Sequence, residues 1–260
     1  MVRIEETDVS TVLLKHGEIK LSQRVLYVVA ILMAFALLAW NLYRVIVAPV
    51  PLTWTIVPIA FAGMITADFL SGLIHWAADT WGNERMPLLG RRFLHPFRVH
   101  HVNPDDFIQR RFIDTNGDVA LLVVPVTAVS MAIPLDSQQG LAAAVFLVAF
   151  SGLGLFTNQI HQWAHLPRPP APVRLLQSCH LILTQKAHSC HHRPPYSANY
   201  CITTGWCNRP LVVMQFFQRL ERMVTWLTGL CPRQDDASFH ANAETRRSSS
   251  PYTVVSHDVA

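Results

Sequence analysis

The run LTWTIVPIAFAGMITADFLSGLIHWAAD, residues 52–79, decides how this chain is read. Its first part, from Leu52 to Ile74, is apolar over a length that covers the roughly 20 residues needed to cross a bilayer and carries one acid, Asp68. It then runs without a break into His75 and Asp79, four residues apart. On a helix those two side chains share a face. A membrane span that ends in metal-ligand chemistry is the pattern to look for elsewhere.

Three more stretches read as spans: Val25 to Ile46, interrupted by Asn41 and Arg44; Val119 to Leu135; and Leu141 to Ile160. The third is the shortest, close to the lower limit of about 17 residues, and reads as a crossing or a re-entrant segment. These runs explain why 51% of the 260 residues are hydrophobic and only 15% charged. The length fits one domain. The fold expected is an all-α integral membrane protein with about four transmembrane helices and a cytosolic, histidine-rich, metal-binding cap. Residues 1–24 read as a cytosolic N-terminal segment, 25–231 as the membrane domain, and 232–260 as a polar, disordered tail.

Charge sets the orientation. Lys and Arg number four before the first span, six between His75 and Asp118, and ten after the fourth span, but none between Asp136 and Gly140. The positive-inside bias therefore places the N-terminus, the long central loop and the C-terminal region in the cytosol. The first span begins too late and runs too long for a cleaved signal peptide. The acids Glu5, Glu6, Asp8 and Glu18 are unlike a plastid transit peptide, which favours the endoplasmic reticulum. A net charge of +4 is too small to indicate nucleic-acid binding. The five cysteines form no CxxC pair and read as free thiols of a reducing compartment.

Nine of the thirteen histidines then fall on the cytosolic side, in groups beside the spans: His75, His100 and His101, His161 and His165, His180, and His188, His191 and His192. HxxxH and HxxHH spacings aim imidazoles at one point. One zinc-like ion takes four ligands, or three and a water, so nine imidazoles and a carboxylate suit two ions. Imidazole-dominated sites fit iron, copper, zinc or nickel. Asp79 reads as a ligand or as the group that orients His75, and His180 as a ligand or a supporting histidine. The solitary His16, His95, His240 and His257 read as polar anchors. Asn116 and Asp118 read as turn residues, and Arg98, Lys186 and Arg193 as topology signals or contacts for a lipid phosphate. Trp40, Tyr43, Trp54, Trp76 and Trp81 read as an interfacial belt. LPRPPAP at 166–172 is a bend that ends the fourth helix, and Leu175 to Leu183 reads as a short interfacial helix.

HWAADTWG at 75–82, PFRVHHVNP at 96–104, DTNGD at 114–118, FTNQIHQWAH at 156–165, LLQSCHLIL at 175–183, HSCHH at 188–192 and YCITTGWCNRPL at 200–211 together resemble the Kua family of membrane lipid desaturases. The resemblance covers about Ala67 to Arg233. It implies a non-haem di-iron centre with two iron ions, O2 as co-substrate, and electrons from cytochrome b5 and its NAD(P)H-linked reductase. It also implies that His75, Asp79, His100, His101, His161, His165, His180, His188, His191 and His192 carry the activity, the nine histidines as metal ligands. The reaction expected is O2-dependent desaturation of the sn-1 alkyl chain of an ether phospholipid to the vinyl ether. Desaturation of an acyl chain of phosphatidylglycerol, or hydroxylation at the same metals, is the alternative. A zinc transporter or metal-binding scaffold is the rival from another class; it requires ligands near the middle of the spans, where only Asp68 stands.

Overall fold

The computed structural model describes residues 19–82, 86–87, 89–193 and 195–232. The polar-anchor readings of His16, His240 and His257, the segment up to residue 18 and the tail beyond residue 232 lie outside the described residues.

All regular structure among the described residues is helical. Four helical runs are long and apolar enough to cross a membrane: α1 (Leu21–Ile46), α2 (Ile56–Thr80), α5 (Phe112–Ser130), and α6 (Gln138–Leu155), which continues through a break at Phe156 into α7 (Thr157–His165). Between α2 and α5 lie a π-helical turn (Gly90–Leu94), α3 (His95–Val102) and α4 (Pro104–Ile108). After α7 come α8 (Ala171–Ser178), α9 (Gln185–His191), α10 (Asn208–Val213) and α11 (Phe216–Thr228).

The spans pair as α1 with α5 and α2 with α6, and α6 also touches α1 and α5. Glycine sets both main crossings. A Cβ on Gly117 would strike the ring of Tyr27, and one on Gly63 would strike the carbonyl of Phe146. Close backbone approach of this kind replaces the hydrophobic drive that lipid removes. Polar stitches add to it. Arg24 makes two 2.9 Å hydrogen bonds to the Asp114 carboxylate. At the opposite end Arg44 donates to the carbonyls of Ser130 and Ile133, satisfying the last turn of α5, while Asn41 donates to Thr127 O.

The third span differs from its sequence reading. It starts at Phe112 rather than Val119 and stops at Ser130 rather than Leu135, so Asn116-Gly117-Asp118 is helix and not a turn. Tertiary partners override the local propensity: Arg24 holds Asp114 in the first helical turn, where a carboxylate suits the helix dipole, Tyr27 fills the space over Gly117, and Asn116 donates to Phe112 O and to Gln159. Nineteen residues give a rise of about 28 Å, enough to cross. The helix expected over Leu175 to Leu183 is also displaced. It runs from Ala171, with Pro172 in its first turn, and ends before Cys179 and His180. Trp40, Tyr43 and Trp54 are exposed as a belt requires, but Trp76 is core, donating to Glu221 at 3.2 Å and packing on Phe217. The free-thiol reading of the cysteines agrees with the structure, in which Cys201 and Cys207 are buried and Cys179, Cys190 and Cys231 exposed.

Candidate metal centre

Four elements deliver the imidazoles. His75 and Asp79 lie on the buried face of α2, because that helix continues six residues past the expected end of its apolar run, to Thr80. His100 and His101 come from the last turn of α3, His161 and His165 from α7, and His188 and His191 from α9, with His192 as its C-cap. Thr184 starts α9 by accepting a 3.1 Å hydrogen bond from Ala187 N–H, an N-cap that fixes where the HxxHH face begins.

These side chains form two groups, His100 with His161, His165, His188 and His192, and His75 with His100, His101 and His191. Within the first, Nε2 of His188 lies 2.9 Å from Nε2 of His161, 2.8 Å from that of His165 and 3.0 Å from that of His192. One imidazole nitrogen carries either one proton or one lone pair. It cannot be hydrogen-bonded to three others at once, so these contacts are not a hydrogen-bond network. They fit a ligand cage: nitrogens bound about 2.1 Å from one ion, at octahedral or tetrahedral angles, lie about 3.0–3.4 Å apart. In the second group His101 Nε2 and His191 Nε2 are 2.9 Å apart, and Asp79 Oδ2 stands 3.2, 3.4 and 3.6 Å from Nε2 of His75, His191 and His101. His100 Nε2 and His188 Nδ1 are buried with no hydrogen-bond partner among the described residues. A donor set of neutral nitrogens, crowded and under-satisfied, fits two metal ions.

The electrostatics agree. Burial, reinforced by neighbouring imidazoles, holds His100 and His188 well below the ordinary histidine range. His192 is pushed down to about 2 by burial and by His191 and His165. Neutral imidazole is the ligating form, so the pocket keeps its lone pairs available.

The supporting shell includes residues that sequence reading did not assign. His191 Nδ1 faces the Ala198 carbonyl at 2.9 Å, a partner that places the proton on Nδ1 and leaves Nε2 for a metal. The ring of Tyr196 stacks on His101 at 4.7 Å, and buried Tyr200 packs against His75 and His191. Gln162 donates to Phe107 O and Arg110 O, and Gln159 links Asn116 to Gln162, so the two glutamines flanking His161 tie α7 to α4 and α5. The only sequence signal for them was amide residues interrupting the apolar end of a span.

Other candidates fall elsewhere. His180 is exposed, has a left-handed backbone (φ 56°), and joins neither group; its carbonyl accepts from Trp206 Nε1 at 2.6 Å. His95 begins α3 and joins neither group. Arg98, a candidate for lipid phosphate, is buried and donates to the carbonyls of Trp81 and Gly82 at the end of α2. Lys186 and Arg193 remain exposed. Asp68 binds backbone N–H groups instead of standing open to a transported ion.

The described residues form a bundle of four long apolar helices, closed at one end by a buried cluster of imidazoles able to hold metal. Residues 64–235 match the lipid desaturase domain family, and the chain belongs to that family. It is 40% identical over 218 residues to a plasmanylethanolamine desaturase of Myxococcus xanthus, covering 84% of this chain and 78% of the relative. Against plasmanylethanolamine desaturase 1 of Mus musculus the identity is 39%, over 80% of this chain and 79% of the relative. A chloroplastic fatty acid desaturase 4 of Arabidopsis thaliana is 33% identical over 66% of this chain and 53% of its own length. No solved structure matches.

Proposed function

We propose that this chain is an ether-lipid desaturase of the plasmanylethanolamine type. The observation that carries the reading is the pair of buried imidazole groups at the ends of α2 and α7, on a chain about 40% identical over most of its length to relatives named for that activity. The reaction takes two hydrogens from adjacent carbons of the sn-1 alkyl chain, C1′ and C2′. With O2, two electrons and two protons it yields the vinyl ether and two waters. Two irons are the ions proposed, and they supply activation of O2 to an oxidant strong enough for an unactivated C–H bond.

The chain's own residues bind, orient and protect. His161, His165, His188 and His192, with His100, form one ligand set, and His75, His101 and His191, with Asp79 beside them, form the other. Phe97 and Phe107 pack on His75, His100, His161 and His165 and keep water from the reacting centre. The alkyl chain reaches the chamber from the lipid, because the ligands stand at the ends of spans.

The electron donor proposed is cytochrome b5 with its NAD(P)H-linked reductase, and the location is the endoplasmic reticulum membrane, with the chamber facing the cytosol in accord with the charge bias. The catalytic domain is residues 25–231. The chloroplastic relative keeps one alternative in view, an acyl chain of phosphatidylglycerol.

Lipid mass spectrometry decides between them. Cells lacking their own ether-lipid desaturase are fed an alkylglycerol and given this chain or its His191→Ala form. Acid-labile vinyl-ether phosphatidylethanolamine with the intact chain alone is the expected result. Saturated ether lipid together with a new double bond in phosphatidylglycerol would move the assignment to the acyl substrate.

A further inference from the structure

Asp68 belongs to neither imidazole group, yet it is fully buried in the second span. It precedes His75 by two helical turns, about 10 Å along the axis, on the α2 face that also carries the buried Ser71, Gly72 and Asp79. That face is covered by the irregular stretch YCITTGWC, residues 200–207.

Irregular backbone beside a span is tolerated only where its polar groups find partners inside the protein. Here α2 provides them. Thr204 and Gly205 N–H donate to Asp68 Oδ1 at 2.7 and 2.8 Å, and Cys207 N–H donates to Oδ2 at 2.9 Å. Ile202 N–H donates to Ser71 Oγ at 3.1 Å, and that hydroxyl donates to Asp68 O. Gly72 lets this stretch lie flush, since a Cβ there would strike the Cys201 sulfur. Further down α2, Trp206 rests on Phe61 with ring centroids 5.2 Å apart. At its other end the same stretch presses Tyr200 against His75 and His191, at centroid distances of 6.0 and 5.2 Å.

We infer that Asp68 is a positioning residue: by accepting three backbone N–H bonds it pins residues 200–207 to α2, and so holds Tyr200 against His75 and His191 and keeps that imidazole group in ligating geometry. The pinning is independent of the proposed reaction; only its effect on a bound ion rests on the metal reading above. The same stretch also meets the helix of the other group: Thr203 Oγ1 lies 3.1 Å from Thr157 Oγ1 at the start of α7, and Ile202 packs with Ile160 and Ala164. An Asp68→Asn side chain presents an amide donor where the carboxylate accepted, leaving at least one N–H facing another donor.

The test uses the full chain in nanodiscs with Cys179→Ser, Cys190→Ser and Cys231→Ser, so that the buried Cys201 and Cys207 are the remaining thiols. Maleimide labelling is followed by intact mass, and bound iron is measured after anaerobic loading with ferrous iron. In this background the two thiols resist labelling. Asp68→Asn labels about tenfold faster or more and binds less iron, with helicity and dispersity unchanged. Ser71→Ala, which removes a single acceptor, labels at an intermediate rate.

Asp68→Asn protein with parental labelling and parental iron overturns the inference. So does fast labelling with full iron, or loss of all iron together with helicity, which would make the role merely structural. Ready labelling of the parent background overturns it as well. If Asp68→Asn does not accumulate, Ser71→Ala decides: faster labelling supports the pin and unchanged labelling refutes it. Absence of desaturase activity in the parent would count against the proposed function and leave the labelling result standing.

Discussion

Replacing His188 by leucine should destabilise the metal-loaded protein and stabilise the metal-free one. His188 Nε2 lies within 3.0 Å of three other imidazole nitrogens, and its Nδ1 is buried without a hydrogen-bond partner. Structural metal sites of four ligands bind with about 10–16 kcal/mol, so losing one imidazole weakens binding by about 2.5–4 kcal/mol, or two to three orders of magnitude. Without metal the sign reverses. A buried polar atom left unpaired costs about 1–3 kcal/mol, and leucine removes it at similar volume. For a chain of this size each kcal/mol moves the midpoint by about 2–4 °C, so the metal-free midpoint should rise by about 2–12 °C. The assay is thermal unfolding of purified wild-type and His188→Leu protein, each stripped with chelator and then titrated with ferrous iron. A metal-free His188→Leu protein less stable than wild type would refute the reading of the imidazole crowd as a ligand cage. Wild-type iron affinity in the variant would refute it equally.

Acid should destabilise the metal-free chain. His100 and His188 titrate well below 6.5 when folded and His192 near 2, whereas unfolded they take protons near 6.5. The stability they contribute is therefore complete above about pH 6.5 and is lost progressively as pH falls below it; unfolding midpoints measured between pH 5 and 8 should fall only on the acid side. Arg98→Met should lower stability by about 2–3 kcal/mol, because it uncaps the end of α2, and should leave headgroup preference in the lipid assay unchanged. His180→Ala should leave bound iron at the wild-type level, because its ring joins neither group; a loss of iron by elemental analysis would place His180 at the site.

How much of this was legible in advance depends on the kind of signal. Hydrophobic run length reported the four spans, since lipid imposes its thickness on any sequence that crosses it. The HxxxH and HxxHH spacings reported which imidazoles gather, because His161 with His165 and His188 with His192 stand one helical turn apart. Helix ends were harder. Asp114-Thr-Asn-Gly-Asp118 has turn composition, and partners distant in sequence, among them Arg24, Tyr27 and Gln159, make it helical. His180 stands alone in sequence between the histidine groups, and its left-handed backbone depends on how residues 179–183 pack, which no local pattern encodes. Asp68 was visible as an anomaly. Its partners are backbone groups, which carry no sequence signature.

The membership of His100 in both imidazole groups bears on how the centre is assembled. Its one ligating atom can serve a single ion at a time. Without it the first group still offers four imidazoles, and the second three with Asp79 alongside. The two positions are thus unequal, and if two irons bind as proposed, the four-imidazole position would fill before the other. Activity would then rise with the second equivalent of metal rather than the first, so iron supply would act on this enzyme as a threshold.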